Sequence, residues 1–241
     1  MKKRPAEAHD THQNQLLAAL PEADLERWLT QLEPVELSLG QVLCESGSRS
    51  EHVYFPTTAI VSLLYLTQEG GSTEIAVVGR DGVVGISHFM GGNATPSRSV
   101  VQSAGHAYRL RAQTLKDALG HAGPVLTLLL RYTQALMTQV AQTATCNRHH
   151  SIDQLLRRRL LLGLDRLPSQ ALVMTQELLA NLLGVRREGI TAAALKLQQA
   201  GVIRYSRGHI AVLDRRRLEQ GLGSNSASSK IAGKRLLPLT A

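Results

Sequence analysis

With 241 residues and 43% hydrophobic content, the chain can build a sizeable core and two domains. Its formal charge of +8 is unevenly placed: residues 148–241 hold 16 Lys+Arg against 6 Asp+Glu, a net +10, whereas residues 1–147 hold 11 against 13, a net −2. Two cysteines cannot furnish a four-thiolate iron–sulfur cluster, no stretch approaches the ~20 apolar residues of a membrane span, and MKKRPAEAHD leads into no signal-like apolar run, so a cytoplasmic protein with no membrane partner is expected.

Residues 1–13 are polar and read as a loose lead-in, followed by short helices at 15–19 and 22–31 separated by Pro21. From Val35 the apolar period becomes two, with Val35, Leu37 and Leu39 on one side. Short apolar runs follow at 42–44, 53–55, 59–65, 74–78, 83–85, 99–102 and 106–110, broken by Gly, Pro, Asn or Asp. Many short strands at close spacing predict a small antiparallel barrel or jelly roll over 15–122.

At Pro124 the pattern changes to a long helix, with proline at an allowed first-turn position. Leu126, Leu130, Thr133, Met137, Val140 and Ala144 recur at 4, 3, 4, 3, 4, the seam of a two-stranded coiled coil, which makes 123–147 a candidate dimerisation helix. Leu129 and Leu136 are left to pack on the roll. A break is expected near Cys146–His150, then Ser151 and Gln154 supply a capping box for a helix through Leu164. Cys146, His149 and His150 could line one face as metal or haem ligands if the long helix continued, but no further thiolate or carboxylate ligand stands nearby and hinge residues need only be polar, so no cofactor or metal is assigned. Arg157, Arg158 and Arg159 fit either a DNA-backbone contact or a solvated face.

Residues 174–213 carry the strongest signal. Thr175 is a fitting N-cap and Glu177 suits the first helical turn; Ala180, Gly184 and Ile190 then have the spacing of two short helices crossing at a tight turn. The second helix buries Ile190, Ala193, Ala194 and Leu197, leaving Arg186, Arg187, Glu188, Thr191, Ala192 and Lys196 for its other face and open N-terminus. Such a helix offers its first turns to a DNA major groove, where Arg can hold guanine and Glu can accept from cytosine, so Arg187 and Glu188 lead as base readers. Residues 202–205 and 209–213 flank Ser206-Arg207-Gly208 as strand, turn, strand. Thr175, Gln176, Gly189, Arg204, Arg207 and His209 complete the candidate DNA contacts. A short helix at 214–222 closes the domain, assigned 148–221, and 222–241 reads as a flexible tail.

VRREGI followed by LQQAGVIRYSRGHIAVLD resembles the winged helix-turn-helix of the bacterial Crp/Fnr transcription regulators. LGQVLCESGS, VYFPTTAIVSLL and GRDGVVGIS likewise resemble the β-roll of the cyclic-nucleotide-binding domain. The resemblance implies an α+β protein: an N-terminal antiparallel β-roll sensor, a long dimerisation helix and a C-terminal winged helix-turn-helix. It also implies a homodimer on palindromic double-stranded DNA and RNA polymerase as a further partner; no nucleophile-elbow Ser, Walker lysine loop or HExxH motif occurs in the sequence, so no enzymatic activity is expected. Arg187 and Glu188 match the family's recognition helix, whereas Arg186 stands where a capping Ser is usual and Ala192 where a later Arg is usual, so a known operator is not carried over. In cyclic-nucleotide-binding members the phosphate cassette opens Gly-Glu and closes Arg-Ser; here Gly85 is followed by Ile86 and Ser87, while Arg98 and Ser99 retain the anion-binding end. Cyclic AMP is therefore not expected to act in the usual way. Two alternatives stay open: an unknown anionic effector held by Arg98, or a surface Arg98 paired with a nearby acid beside a closed pocket. The competing functional reading is a nucleotide-binding signalling module whose basic domain contacts protein or membrane.

Overall fold

A computed structural model describes residues 11–68, 71–92, 94–120, 123–167, 171–206 and 208–222. The expected loose segment before Thr11, Arg207 and the tail from residue 223 onward lie outside these; of the tail only Leu222 is described, and it is buried in the C-terminal core.

Two short helices open the chain, α1 (Gln15–Ala18) and α2 (Glu22–Leu29). The residues just before them are not loose: Thr11 and Asn14 are buried, and Asn14 caps α1 by accepting from the amides of Leu16 and Leu17. Seven strands follow: β1 (Glu33–Leu37), β2 (Val42–Cys44), β3 (His52–Pro56), β4 (Ile60–Leu66), β5 (Ser72–Val78), β6 (Arg98–Ser103) and β7 (Gly105–Arg111). They form two antiparallel sheets, ordered β1-β7-β3 and β2-β6-β4-β5, which enclose a core that includes Leu37, Val53, Phe55, Val61, Val78 and Leu110. The run expected as a strand at 83–85 forms only a single bridge, Tyr54 to Val84. Gly85 then adopts φ 105°, a left-handed conformation natural to glycine, and turns the chain into a 3-10 helix at Ile86–His88.

A helix that the strand pattern did not suggest, α3 (Ala112–Leu119), caps the roll with Ala112 and Leu115. The long helix α4 (Pro124–His149) runs for 26 residues with Pro124 in its first turn. Leu129 and Leu136 are buried against the roll as expected. Thr133 is corrected: it is 5% exposed and returns its hydroxyl to the Leu129 carbonyl, so it faces its own subunit's core. Leu130 and Met137, at 52% and 66% exposure, face outward, Ala144 is exposed, and Leu126 and Val140 are half-buried.

The expected break comes after His149. His150 is extended, so it does not share a helical face with Cys146 and His149. Ser151 and Gln154 make the capping box that starts α5 (Ile152–Leu164). The C-terminal domain continues with β8 (Ala171–Val173), α6 (Gln176–Leu183), α7 (Arg187–Gln199), β9 (Ile203–Ser206), β10 (His209–Val212) and α8 (Arg215–Gln220). Its second core joins Leu156, Leu160, Leu179, Ile190, Leu197 and Leu218. The hairpin gains β8 as a third strand, giving the order β8-β10-β9.

Of the arginine triplet of α5, only Arg159 is removed from both a DNA contact and a solvated face, while Arg157 and Arg158 are half-buried. Arg157 donates to the Arg217 carbonyl, Arg158 to Thr143 on α4, and Arg159 is buried against the roll. Around Arg159, Glu74, Ser62 and Gln102 form a buried polar joint between the domains. Arg166 adds an ion pair of 2.9 Å to Asp81.

Candidate nucleic-acid interface and effector pocket

Helix α6 begins as its sequence dictates, with the Thr175 hydroxyl accepting from the Leu178 amide at 3.1 Å. It ends at Gly184, whose φ of 65° lets its amide return to the Ala180 carbonyl. The chain crosses at once into α7, which buries Ile190, Ala193, Ala194 and Leu197. Arg186 occupies the N-cap without a side-chain cap bond, which leaves the first amides of α7 open. Arg187, Glu188, Thr191 and Ala192 are exposed along that first stretch, and neither Arg187 nor Glu188 has an ion-pair partner among the described residues. Thr191 donates to Gln176 at 2.7 Å, tying the two helices across their crossing. Arg204 and His209 are exposed on the neighbouring strands.

Two candidate contacts sit differently. A methyl on Gly189 would come 2.6 Å from Cδ1 of Ile152, so this glycine admits α5 against α7 and faces the domain's own core. Lys196 lies 3.5 Å from Asp153, although its side chain remains 69% exposed.

In the β-roll, Gly85, Ile86, Ser87 and Ser99 border a cavity of about 510 Å3, closed on one side by Leu136, Met137, Val140 and Ala141 of α4. Arg98 is not among its walls. It pairs instead with Glu45 at 3.0 Å, so the anion-binding end expected at Arg98 is turned onto a surface acid. The walls include His52, Tyr54 and His88, which the motif-based reading passed over. The alternation of His52 and Tyr54 against buried Val53 and Phe55 was the available signal, because it sets both on one side of β3. Burial holds both histidines below their ordinary pKa, aided by Arg109 beside His52 and Lys116 beside His88. Tyr132 of α4 donates its hydroxyl to the Val83 carbonyl at 2.9 Å, linking the long helix to the loop that carries Gly85. Among the described residues no cluster of three metal-ligating side chains occurs, and no helix is long and apolar enough to cross a membrane.

Comparison with known proteins gives two family matches: a cyclic nucleotide-binding domain over residues 34–121 and a Crp-like helix-turn-helix domain over residues 155–220. No curated protein sequence matches the chain. Among solved structures, FixK2 from Bradyrhizobium japonicum superposes with a TM-score of 0.68 at 16% identity, over 78% of this chain and 96% of that one. A putative transcriptional regulator of the crp/fnr family from Eubacterium rectale gives 0.68 at 19% identity, over 88% and 100%. The c-di-GMP responsive global regulator CLP of Xanthomonas campestris gives 0.64 at 15% identity, over 80% and 100%. At these identities the likeness is one of fold.

Proposed function

Since the chain belongs to the Crp/Fnr family of transcription regulators and carries the family's helix-turn-helix DNA-binding domain, we propose that it works as a cytoplasmic homodimer that reads a palindromic DNA site under control of its β-roll. The observation that carries this reading is the open start of α7, where Arg187 and Glu188 stand exposed beside the wing with no ion-pair partner among the described residues. An Arg there can make a bidentate contact to guanine, and open helix amides with the positive helix end suit a phosphate. Concentration of positive charge in residues 148–241 supports the same use, since phosphate attraction supplies most non-specific affinity.

Dimerisation is assigned to the outward side of α4, where Leu130 and Met137 leave apolar surface exposed in the single chain. The domains proposed are the roll over 15–122, the helix over 123–147 and the DNA-binding domain over 148–221. Occupation of the cavity would shift the population of dimer states, because its wall is the helix that forms the dimer. Two recognition helices about 34 Å apart then match successive major grooves. RNA polymerase is the further partner of such a regulator, and no catalytic activity is assigned.

Selection of bound fragments from a random DNA pool tests the proposal directly. Enrichment of a two-fold symmetric sequence with half-sites one helical turn apart is the expected result. Equal retention of all sequences at physiological salt would reject it in favour of a module whose basic domain contacts protein or membrane.

A further inference from the structure

The chemistry of the effector follows from two adjoining cavities. Among the described residues the walls of the larger, about 510 Å3, contain no Asp, Glu, Lys or Arg and are mostly apolar, with Leu63, Ile75, Val83, Ile86, Leu136 and Val140 among them. A second cavity of about 410 Å3 opens beside it and shares Ser50, His52, His88 and Gly92. Its character is opposite: Arg49, Arg111 and Lys116 converge on it from a loop, the end of β7 and α3, against the single acid Glu51. None of these three cations has an ion-pair partner among the described residues. His88 stands at the junction, and its Nε2 is shielded from solvent with no hydrogen-bond partner among the described residues.

We infer that the effector is an amphipathic monoanion, its apolar body in the larger cavity and its carboxylate-class head at Arg49, Arg111 and Lys116. This rests on the reading of the roll as an effector domain. His88 supplies the hydrogen bond to a polar atom where body and head meet. A sugar suits the larger cavity less than an apolar body does, because its hydroxyls would be desolvated against mostly apolar walls. A wholly neutral apolar molecule would leave the basic cavity with no role in binding. The head gains charge-assisted hydrogen bonds, and the body gains by leaving water.

Octanoate and octanol, which share a chain and differ in the head, are suitable probes for calorimetric titration of the full-length protein. Octanoate is expected to bind one site per chain at least tenfold more tightly than octanol. Arg111→Gln combined with Lys116→Gln should bring octanoate to the affinity of octanol and leave octanol unchanged. Ile75→Trp, which fills the larger cavity, should abolish binding of both while circular dichroism and thermal unfolding stay close to the parent. The inference is overturned if octanoate does not bind at millimolar concentration, if octanol binds as tightly, if the double variant keeps the preference for octanoate, or if cyclic AMP or inorganic phosphate binds more tightly than octanoate. DNA selection with and without octanoate separates the two readings: selective DNA binding without octanoate binding leaves the regulator and removes this ligand class, and octanoate binding with no selective DNA binding in either condition removes the regulator alone.

Discussion

Arg159 of α5 places its Nε 3.0 Å from Oε1 of Glu74 on β5, and both side chains are buried between the two domains. Ser62 Oγ lies 2.5 Å from the other carboxylate oxygen and 2.8 Å from Oε1 of Gln102, so its single proton serves one of the two, and Gln102 Oε1 accepts from Arg159. Burial pushes the Glu74 carboxyl up from its ordinary range and the neighbouring guanidinium opposes that shift. Each ion therefore depends on the other to remain in a dry joint.

Removing one partner is costly for that reason. Arg159→Ala should lower unfolding stability by about 3–5 kcal/mol, because it strands a buried carboxylate. Arg159→Met with Glu74→Leu should recover most of the loss, since neither charge then needs a partner. Denaturant unfolding of the three proteins checks this. A single variant within about 1 kcal/mol of the parent would mean that water reaches the joint.

At the DNA surface, Arg187→Ala should cost about 1–3 kcal/mol at the selected site and relax base choice at one position in each half-site. A loss equal across all sequences would make Arg187 a phosphate contact instead. Titration of the selected site and of single-base variants by fluorescence anisotropy distinguishes the two.

Met137→Glu puts a charge on each side of the proposed dimer seam, where two like charges would be desolvated without compensation. The protein should sediment as a monomer and lose its preference for symmetric DNA in the same measurement series. An unchanged dimer would move the interface off the outward side of α4.

His88 gives the effector cavity a pH dependence. Its folded pKa lies below the ordinary value of 6.5 through burial and Lys116, and His52 next to it is shifted the same way. A base with a depressed folded pKa contributes fully above its unfolded pKa and loses that contribution as pH falls through the folded value. The melting temperature should thus drop on acidification below 6.5, and less steeply in His88→Asn. Parallel melting curves for parent and variant would remove His88 from the effect.

A methyl at Gly82 would lie 2.6 Å from Cζ of Tyr132, a buried ring fixed by its bond to the Val83 carbonyl. Gly82→Ala should cost about 1–3 kcal/mol by overpacking and loosen the loop that leads to Gly85. Unfolding stability measured with and without a bound ligand checks both parts.

Local chemistry explains how much could be read in advance. Thr175, Gly184 and the Ile190–Leu197 period carry their structural instructions within a few residues, so the helix-turn-helix was legible as sequence. Ser151 and Gln154 were legible for the same reason. Arg159 and Glu74 were not, since their partnership joins elements 85 positions apart and a basic triplet on a helix normally marks a wet face. Gly189 was read as a DNA contact, whereas the neighbour that its missing side chain admits is Ile152 of α5. The retained Arg98-Ser99 pair left an anion site and a surface ion pair equally open, and only the structure shows Glu45 on a neighbouring loop holding the guanidinium. Residues 83–85 have a strand's composition, and only the left-handed turn at Gly85 shows why pairing stops.

Asn14 fixes where the sensory unit can be cut. Its side-chain amide donates to the carbonyls of Pro56 at the end of β3, at 2.8 Å, and of Gly82 in the turn after β5, at 2.9 Å, two groups far apart in the chain. A fragment beginning at residue 34, where the matched cyclic nucleotide-binding region starts, would strip both carbonyls of this donor and uncover the core packed under Leu16, Leu17 and Trp28. The smallest folding unit is therefore larger than the matched region, and a truncation that retains Asn14 is the one that should survive on its own.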